Sequence, residues 1–224
     1  MNVTAVVDCG QWSAGRGPLL PLGAEPMVVR AVRTLLDGDL VERIEVRAPE
    51  EWLDSVERAC RGLPVSVRAA LAPIRTHVDQ RAGAPASDGS VTTFSGGVVL
   101  WHEATRPLAP SELARAVVDA VRSGHPAAVP VLPVTDTVKQ VGEAGLVLAS
   151  PDRTMLRALQ TPIALRGDGL PPGALGGSPL SEVARLVESG VPVHCVDGDP
   201  LAFPVRTAWD LELARMMVPP GGSR

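Results

Sequence analysis

The stretch Leu100-Trp-His-Glu-Ala-Thr-Arg-Pro-Leu108 places an acid, Glu103, and a cation, Arg106, immediately after the apolar run Val98 to Trp101. Such a short run reads as a buried strand. Downstream, Ser111 is placed to cap a helix from Glu112 to Ser123, and Ala127 to Val134 returns as a second buried strand. Upstream, Val3 to Val7 is β-branched and runs into Gly10, a Gly/Pro-rich stretch spans Gly15 to Pro26, and Val28 to Leu36 has helical spacing. Strand and helix then repeat: Ile44 to Val46, a helix over Glu50 to Cys60, and a strand at Val65 to Val67. Alternation of this kind predicts an α/β fold with a mostly parallel sheet.

Between these elements, Arg75 to Gln80 is expected to open a short helix, and Ala82 to Gly97 reads as a mobile loop. Val138 to Val141 and Leu146 to Leu148, joined through a glycine-containing turn, predict a β-arm over 138–152 that projects from the sheet and dimerises. Gly167 to Pro179 is a loop, Ser181 to Ser189 a helix, Pro192 to Val196 a strand and Ala208 to Met217 a closing helix. We expect a single domain over 1–224, because 224 residues with 45% hydrophobic content bury one core.

A net charge of -4 and a pI near 5.6 supply no global basic field, so binding of nucleic acid or of an anionic membrane surface is not expected. No apolar run reaches membrane-spanning length, and the chain reads as cytoplasmic. Cys9, Cys60 and Cys195 are too scattered for a zinc site or a disulfide framework and are expected reduced and mostly buried. Lys139 is the sole lysine of the chain.

Ligands of open α/β sheets bind beyond the carboxyl ends of strands, which directs attention to the loops after Val7, Trp101 and Val134. There a carboxylate at Glu103 suits a magnesium ion and a guanidinium at Arg106 suits a phosphate, although alone the two also read as a strand-end ion pair. Pro133-Val-Thr-Asp-Thr-Val-Lys139, Asp152-Arg153 and Leu159-Gln-Thr-Pro162 add hydroxyls and cations.

Taken in order, these segments resemble the 2-C-methyl-D-erythritol 4-phosphate cytidylyltransferase family across nearly the whole chain. His102-Glu-Ala-Thr-Arg106 is similar to that family's His-Asp-Ala-Ala-Arg, and Pro133 to Lys139 to Pro-Val-x-Asp-Thr-x-Lys. Asp152-Arg153, Gln160-Thr-Pro162 and Val196-Asp-Gly-Asp-Pro-Leu-Ala-Phe203 complete the match. The resemblance implies a Rossmann-like nucleotidyltransferase fold that joins CTP to a sugar-alcohol phosphate and releases pyrophosphate on the way to isoprenoid precursors. It implies Mg2+ at Glu103, a nucleotide beside Gly10, Arg75 and Ala104, and an acceptor phosphate among Arg106, Thr137, Thr161 and Arg206. Arg16 and Arg153 would be the catalytic cations, and Thr137 and Arg153 would reach a neighbouring subunit of a homodimer.

The chain also departs from the pattern. The family opens with Ala-Ala-Gly-x-Gly-x-Arg and a later Pro-Lys pair, whereas this chain has Asp8-Cys-Gly-Gln-Trp-Ser-Ala-Gly-Arg-Gly-Pro18, without lysine. Loss of one donor that stabilises charge on a transferring phosphoryl group costs on the order of 3 kcal/mol. Asp8 brings a carboxylate where the family has a small apolar residue, with turn capping as its other role. The family's Lys-Ile-Thr appears as Pro204-Val-Arg206, with Arg206 on the strand face that position 204 would use. Two functions are consistent with these departures: a transferase of weakened or altered activity, or a catalytically inactive dimeric homologue acting as scaffold or regulator.

Overall fold

The computed structural model describes residues 1–10, 17–70, 96–168 and 177–218, together with the backbone at 74–76 and 92–94. Its strands are β1 (Val3–Asp8), β2 (Pro21–Leu22), β3 (Glu25–Pro26), β4 (Arg43–Ala48), β5 (Val65–Ala69), β6 (Ile74–Thr76) and β7 (Thr92–Phe94). They continue with β8 (Val98–Glu103), β9 (Ala127–Pro133), β10 (Gln140–Val141), β11 (Val147–Ala149), β12 (Arg157–Leu159), β13 (Ile163–Arg166) and β14 (Val193–Asp197). The helices are α1 (Met27–Asp37), α2 (Leu53–Ala59), α3 (Ser111–Arg122), α4 (Pro179–Glu188) and α5 (Ala208–Met217).

One eight-stranded sheet carries the fold, in the order β12-β9-β13-β8-β1-β4-β5 with β14 paired to β9. β1, β4, β5 and β8 are mutually parallel, β14 is parallel to β9, and β12 and β13 run against their neighbours. β12 and β13 both lie along β9, interrupted at Gln160 to Pro162, where the Thr161-Pro162 peptide is cis. That interruption lets Thr161 turn toward the end of β8.

Alternation within each strand sorts the two faces. Val3, Ala5 and Val7 of β1 pack with Ile44, Val46 and Leu100 under α1 and α3, whose buried stripes are Val28, Ala31, Val32, Leu35 and Ala114, Val117, Val118, Val121. Those spacings, three and four residues apart, give each helix one apolar face. Val6, Val99, Trp101, Ile163 and Leu165 occupy the opposite face beneath Val183 and Leu186 of α4. Asp8 and Glu103, two residues beyond Val6 and Trp101, therefore fall on this second face.

Several expectations need correction. The segment expected to be helical from Arg75 begins instead in β6, paired in parallel with β7, and residues 77–80 lie outside the described chain. Ser111 is the first residue of α3 and not its cap; Pro110 holds the cap position without a side-chain bond. The next helix starts at Pro179, with Ser178 and Ser181 forming a reciprocal capping box, which satisfies helix-end N–H groups that have no partner within the helix. Cys9 and Cys60 are buried, but Cys195 is exposed. Of the loops expected at Ala82 to Gly97 and Gly167 to Pro179, positions 82–91, 95 and 169–176 lie outside the described residues, and β7 occupies 92–94. The arm is present as the antiparallel pair β10 and β11.

Candidate active site

The connection from β1 through α1 leads to β4 on one side of β1, while β8 lies on its other side, so the strand order reverses between β1 and β8. The crevice at the carboxyl ends of these two strands is where an open α/β sheet accepts a ligand. Asp8 and Glu103 are register partners there, and Arg47 of β4 is the register partner of Asp8 on its other side. Three charged side chains thus stand in a row across the mouth of the crevice.

Glu103 is buried, with 1% of its surface exposed, and both of its carboxylate oxygens are held by cations. Arg106 Nε donates to Oε2 at 2.7 Å, and Arg206 reaches Oε1 at 3.6 Å. Arg106 is itself buried and donates from Nη1 to the Ala202 carbonyl at 2.6 Å, which ties the loop after β8 to the loop after β14. Burial, then opposed by the Glu103 charge, holds the Arg106 guanidinium below its ordinary value. The side chain of Arg206 is half exposed. Its backbone N–H donates to Asp210, which together with Thr207 caps α5, so the helix start fixes where Arg206 emerges.

Thr161 is fully buried and its hydroxyl is doubly used. It accepts from the Glu103 N–H at 3.1 Å and meets His102 Nδ1 at 3.0 Å. A hydroxyl that accepts the Glu103 N–H still has its own proton to give to Nδ1, an arrangement that places the neutral His102 proton on Nε2. Burial, reinforced by the Arg106 charge, pushes His102 down to about 3, so the ring is neutral at physiological pH. Gln160 adds a clamp: its amide donates to the Asp199 carbonyl and accepts from the Asp199 N–H. Gly198 is required beside it, because a Cβ there would lie 2.8 Å from the Val131 carbonyl and even closer to the Gln160 side chain.

Asp8 is 7% exposed, and its Oδ1 accepts from the Gly10 N–H at 2.9 Å. Burial pushes this carboxyl up to about 6, and the Glu103 charge adds to the rise, while the Gly10 bond and Arg47 oppose it. The capping role expected as an alternative for Asp8 is therefore realised at Gly10. Ala104 is buried beside it and donates its N–H to the Asp8 carbonyl. Arg47 bonds Glu45 at 2.8 Å, and its Nη2 is buried without a hydrogen-bond partner among the described residues.

Of the residues singled out in the sequence, the structure gathers Gly10, Glu103, Ala104, Arg106, Thr161 and Arg206 around the crevice. Thr137 and Arg153 are exposed at the base of the arm; Arg153 donates to the Thr135 carbonyl, and no hydrogen bond or ion pair joins either residue to the Glu103 cluster among the described residues. Arg16 lies outside the described residues, as does the side chain of Arg75. The roles of His102 and Gln160 were visible in the sequence only as parts of motifs, and Arg47 carried no signal at all. A metal at Glu103 is disfavoured by charge: Arg106 is bonded to Oε2 at 2.7 Å and Arg206 stands 3.6 Å from Oε1, so two guanidiniums already compensate this carboxylate. Among the described residues no group of three or more His, Cys, Asp or Glu side chains forms a metal site.

The model of the family IspD: 2-C-methyl-D-erythritol 4-phosphate cytidylyltransferase matches residues 17–219. The 2-C-methyl-D-erythritol 4-phosphate cytidylyltransferase of Nocardia farcinica is 41% identical over 218 residues, covering 92% of this chain and 91% of that protein. The protein of the same name from Frankia casuarinae is 41% identical over 229 residues, covering 97% and 81%. Among solved structures, the 4-diphosphocytidyl-2C-methyl-D-erythritol synthase of Anaerococcus prevotii superimposes with a TM-score of 0.69 at 18% identity, covering 96% of this chain and 97% of that one. At that identity the superposition speaks for the fold alone.

Proposed function

Because this chain belongs to the 2-C-methyl-D-erythritol 4-phosphate cytidylyltransferase family, we propose that it transfers a cytidylyl group from CTP to a sugar-alcohol phosphate, at a rate below that of family members with the full lysine set. An acceptor phosphate oxygen attacks the α-phosphorus of CTP, the bond from that phosphorus to the bridging oxygen breaks, and the electron pair leaves with pyrophosphate. The attacking oxygen is already ionised, so no general base is needed. What the protein must supply is position and positive charge.

The observation that carries this reading is the Arg106-Glu103-Arg206 cluster at the reversal of the strand order. Glu103 fixes two guanidiniums at the crevice, and half-exposed Arg206, whose side chain has no hydrogen bond among the described residues, keeps its donors for an acceptor phosphate. Thr161 holds the end of β8 in place through the Glu103 N–H. Gly10 and Ala104 line the nucleotide side. Mg2+ is expected to arrive with CTP, its charge bound mainly by the phosphates, because two guanidiniums already compensate Glu103.

The arm supports a homodimer. Val141, Leu146, Val147 and Leu148 are each more than half exposed on a two-stranded hairpin, a unit that gains stability only when packed against something further. A second copy would cover these residues and receive Thr137 and Arg153 at its own crevice. Among the described residues no helix is long and apolar enough to cross a membrane, and we place the protein in the cytoplasm on its three free cysteines.

Calorimetric titration with CTP and Mg2+, with ATP as control, followed by pyrophosphate release in the presence of 2-C-methyl-D-erythritol 4-phosphate, tests the proposal. Selective CTP binding with acceptor-dependent release is the expected outcome. CTP binding without release favours the second reading, an inactive dimeric homologue, for which the missing lysines speak. No CTP binding at millimolar concentration refutes the transferase.

A further inference from the structure

We infer that Asp8, on β1, and not Glu103, is the carboxylate that this chain offers to a divalent cation carried by the nucleotide phosphates. The inference rests on the nucleotide-transfer reading and adds to it a ligand that the family's sequence pattern does not contain. Asp8 and Glu103 are register partners on one face of adjacent parallel strands, so they open on the same crevice. Their surroundings differ. Glu103, one methylene longer than the aspartate it replaces, is compensated twice, by Arg106 at 2.7 Å and Arg206 at 3.6 Å.

Among the described residues Asp8 is under-compensated. Its Oδ1 takes one N–H, from Gly10, and its Oδ2 takes no hydrogen bond among the described residues. The cation closest in the strand register is Arg47, whose Nε is committed to Glu45. On the other side stands a second negative charge, Glu103. A carboxylate more than nine-tenths buried, with a single hydrogen bond among the described residues and a like charge beside it, costs the folded protein more than one joined by a cation. Consistent with this, burial and Glu103 together push the Asp8 carboxyl well above its ordinary value.

The place of Asp8 fits a hard cation bound partly by phosphate. Magnesium and manganese use one or two protein carboxylates, keep several waters and complete their shell with substrate phosphates. Asp8 lies between the two residues on the nucleotide side, Gly10 bonded to its carboxylate and Ala104 bonded to its carbonyl. Without a cation, Asp8 repels a triphosphate; with one, it anchors it. The departure from the family's glycine loop and the departure at Glu103 are then one exchange, in which the metal carboxylate has moved one strand across and the original position has become an arginine post.

The test is Mn2+ binding in the presence of CTP, read from the electron paramagnetic resonance signal of free Mn2+, for the wild type, Asp8→Asn and Glu103→Gln. Asp8→Asn, which keeps an acceptor for Gly10, is expected to weaken Mn2+ binding in the ternary complex by about tenfold or more. Glu103→Gln is expected to leave it within about threefold. Asp8→Ala, which removes the acceptor as well, must show the same loss as Asp8→Asn, and thermal melts establish that each variant is folded. If Glu103→Gln loses Mn2+ and Asp8→Asn retains it, the inference falls and the transferase reading stands. If Asp8→Asn tightens CTP binding with Mn2+ unaffected, Asp8 is a repulsive element only and the inference is again overturned. If the wild type binds no Mn2+ with CTP, the nucleotide reading fails and takes the inference with it.

Discussion

Replacing Asp8 with asparagine should stabilise the metal-free protein at neutral pH and change how its stability responds to acid. Burial, with Glu103 adding, raises the Asp8 carboxyl from 3.8 to about 6. Each unit corresponds to about 1.4 kcal/mol, so ionised Asp8 costs the folded state roughly 3 kcal/mol. Between pH 3.8 and about 6 the folded protein keeps a proton that the unfolded chain has released. Stability therefore falls as pH rises through that window, and the penalty is complete above about pH 6. His102 acts in the opposite sense. Burial, then Arg106, lowers it from 6.5 to about 3, so the unfolded chain takes up a proton first and stability is lost as pH falls across that range.

In the wild type these two slopes, each about 1.4 kcal/mol per pH unit, oppose one another where the windows overlap. Asparagine removes the Asp8 contribution and gives Gly10 a weaker, neutral acceptor, which leaves a net gain of about 2 kcal/mol at pH 7.5. For a chain of this length that is a rise in Tm of roughly 4–8 °C. Urea unfolding in EDTA at pH 7.5, 6 and 5 provides the measurement. Asp8→Asn should be the more stable protein at pH 7.5, and its advantage should shrink below pH 6 as the wild-type Asp8 carboxyl takes up a proton and its penalty fades. A gain that does not depend on pH, or a loss at pH 7.5, would refute the assignment of Asp8 as an under-compensated buried charge.

Three further outcomes are expected. Thr161→Val should destabilise by about 3 kcal/mol, because it leaves the Glu103 N–H and His102 Nδ1 buried without partners, and Thr161→Ser should restore most of the loss; thermal melts decide this. Gly198→Ala should lower stability by about 1–3 kcal/mol and loosen the Gln160–Asp199 clamp, since its methyl would press on the Val131 carbonyl; urea midpoints measure the first effect and hydrogen exchange at Asp199 the second. Leu146→Asp with Leu148→Asp should convert a dimer to a monomer in sedimentation while changing the stability of the single chain by no more than about 0.5 kcal/mol, because both side chains are exposed in it.

The alternation of apolar runs with helical spacing located the five helices and six of the eight strands of the main sheet, but not β12 and β13, and the spacing of His102, Glu103 and Arg106 beyond Val98 to Trp101 located the crevice. The expected helix at Arg75 failed because Ile74 to Thr76 is too short for periodicity to separate strand from helix, and its pairing with Thr92 to Phe94 is a non-local contact. Ser111 misled as a cap because Pro110 already supplies the extended backbone that starts the helix. The resemblance in the motifs identified the family; it did not reveal that Glu103 faces two arginines or that Thr161 is an internal hydroxyl.

What the sequence determined by itself is therefore whatever depends on neighbours along the chain: the type of most elements, the buried faces and the family. The balance of charge at the crevice was decided only by the tertiary structure. Asp8, Glu103 and Arg206 are far apart in sequence, and they meet because strand order reverses beside β1 and because the loop after β14 is drawn in by Arg106 and Gln160. Which carboxylate is neutralised and which is left charged depends on angstrom distances and burial, and no local pattern encodes those.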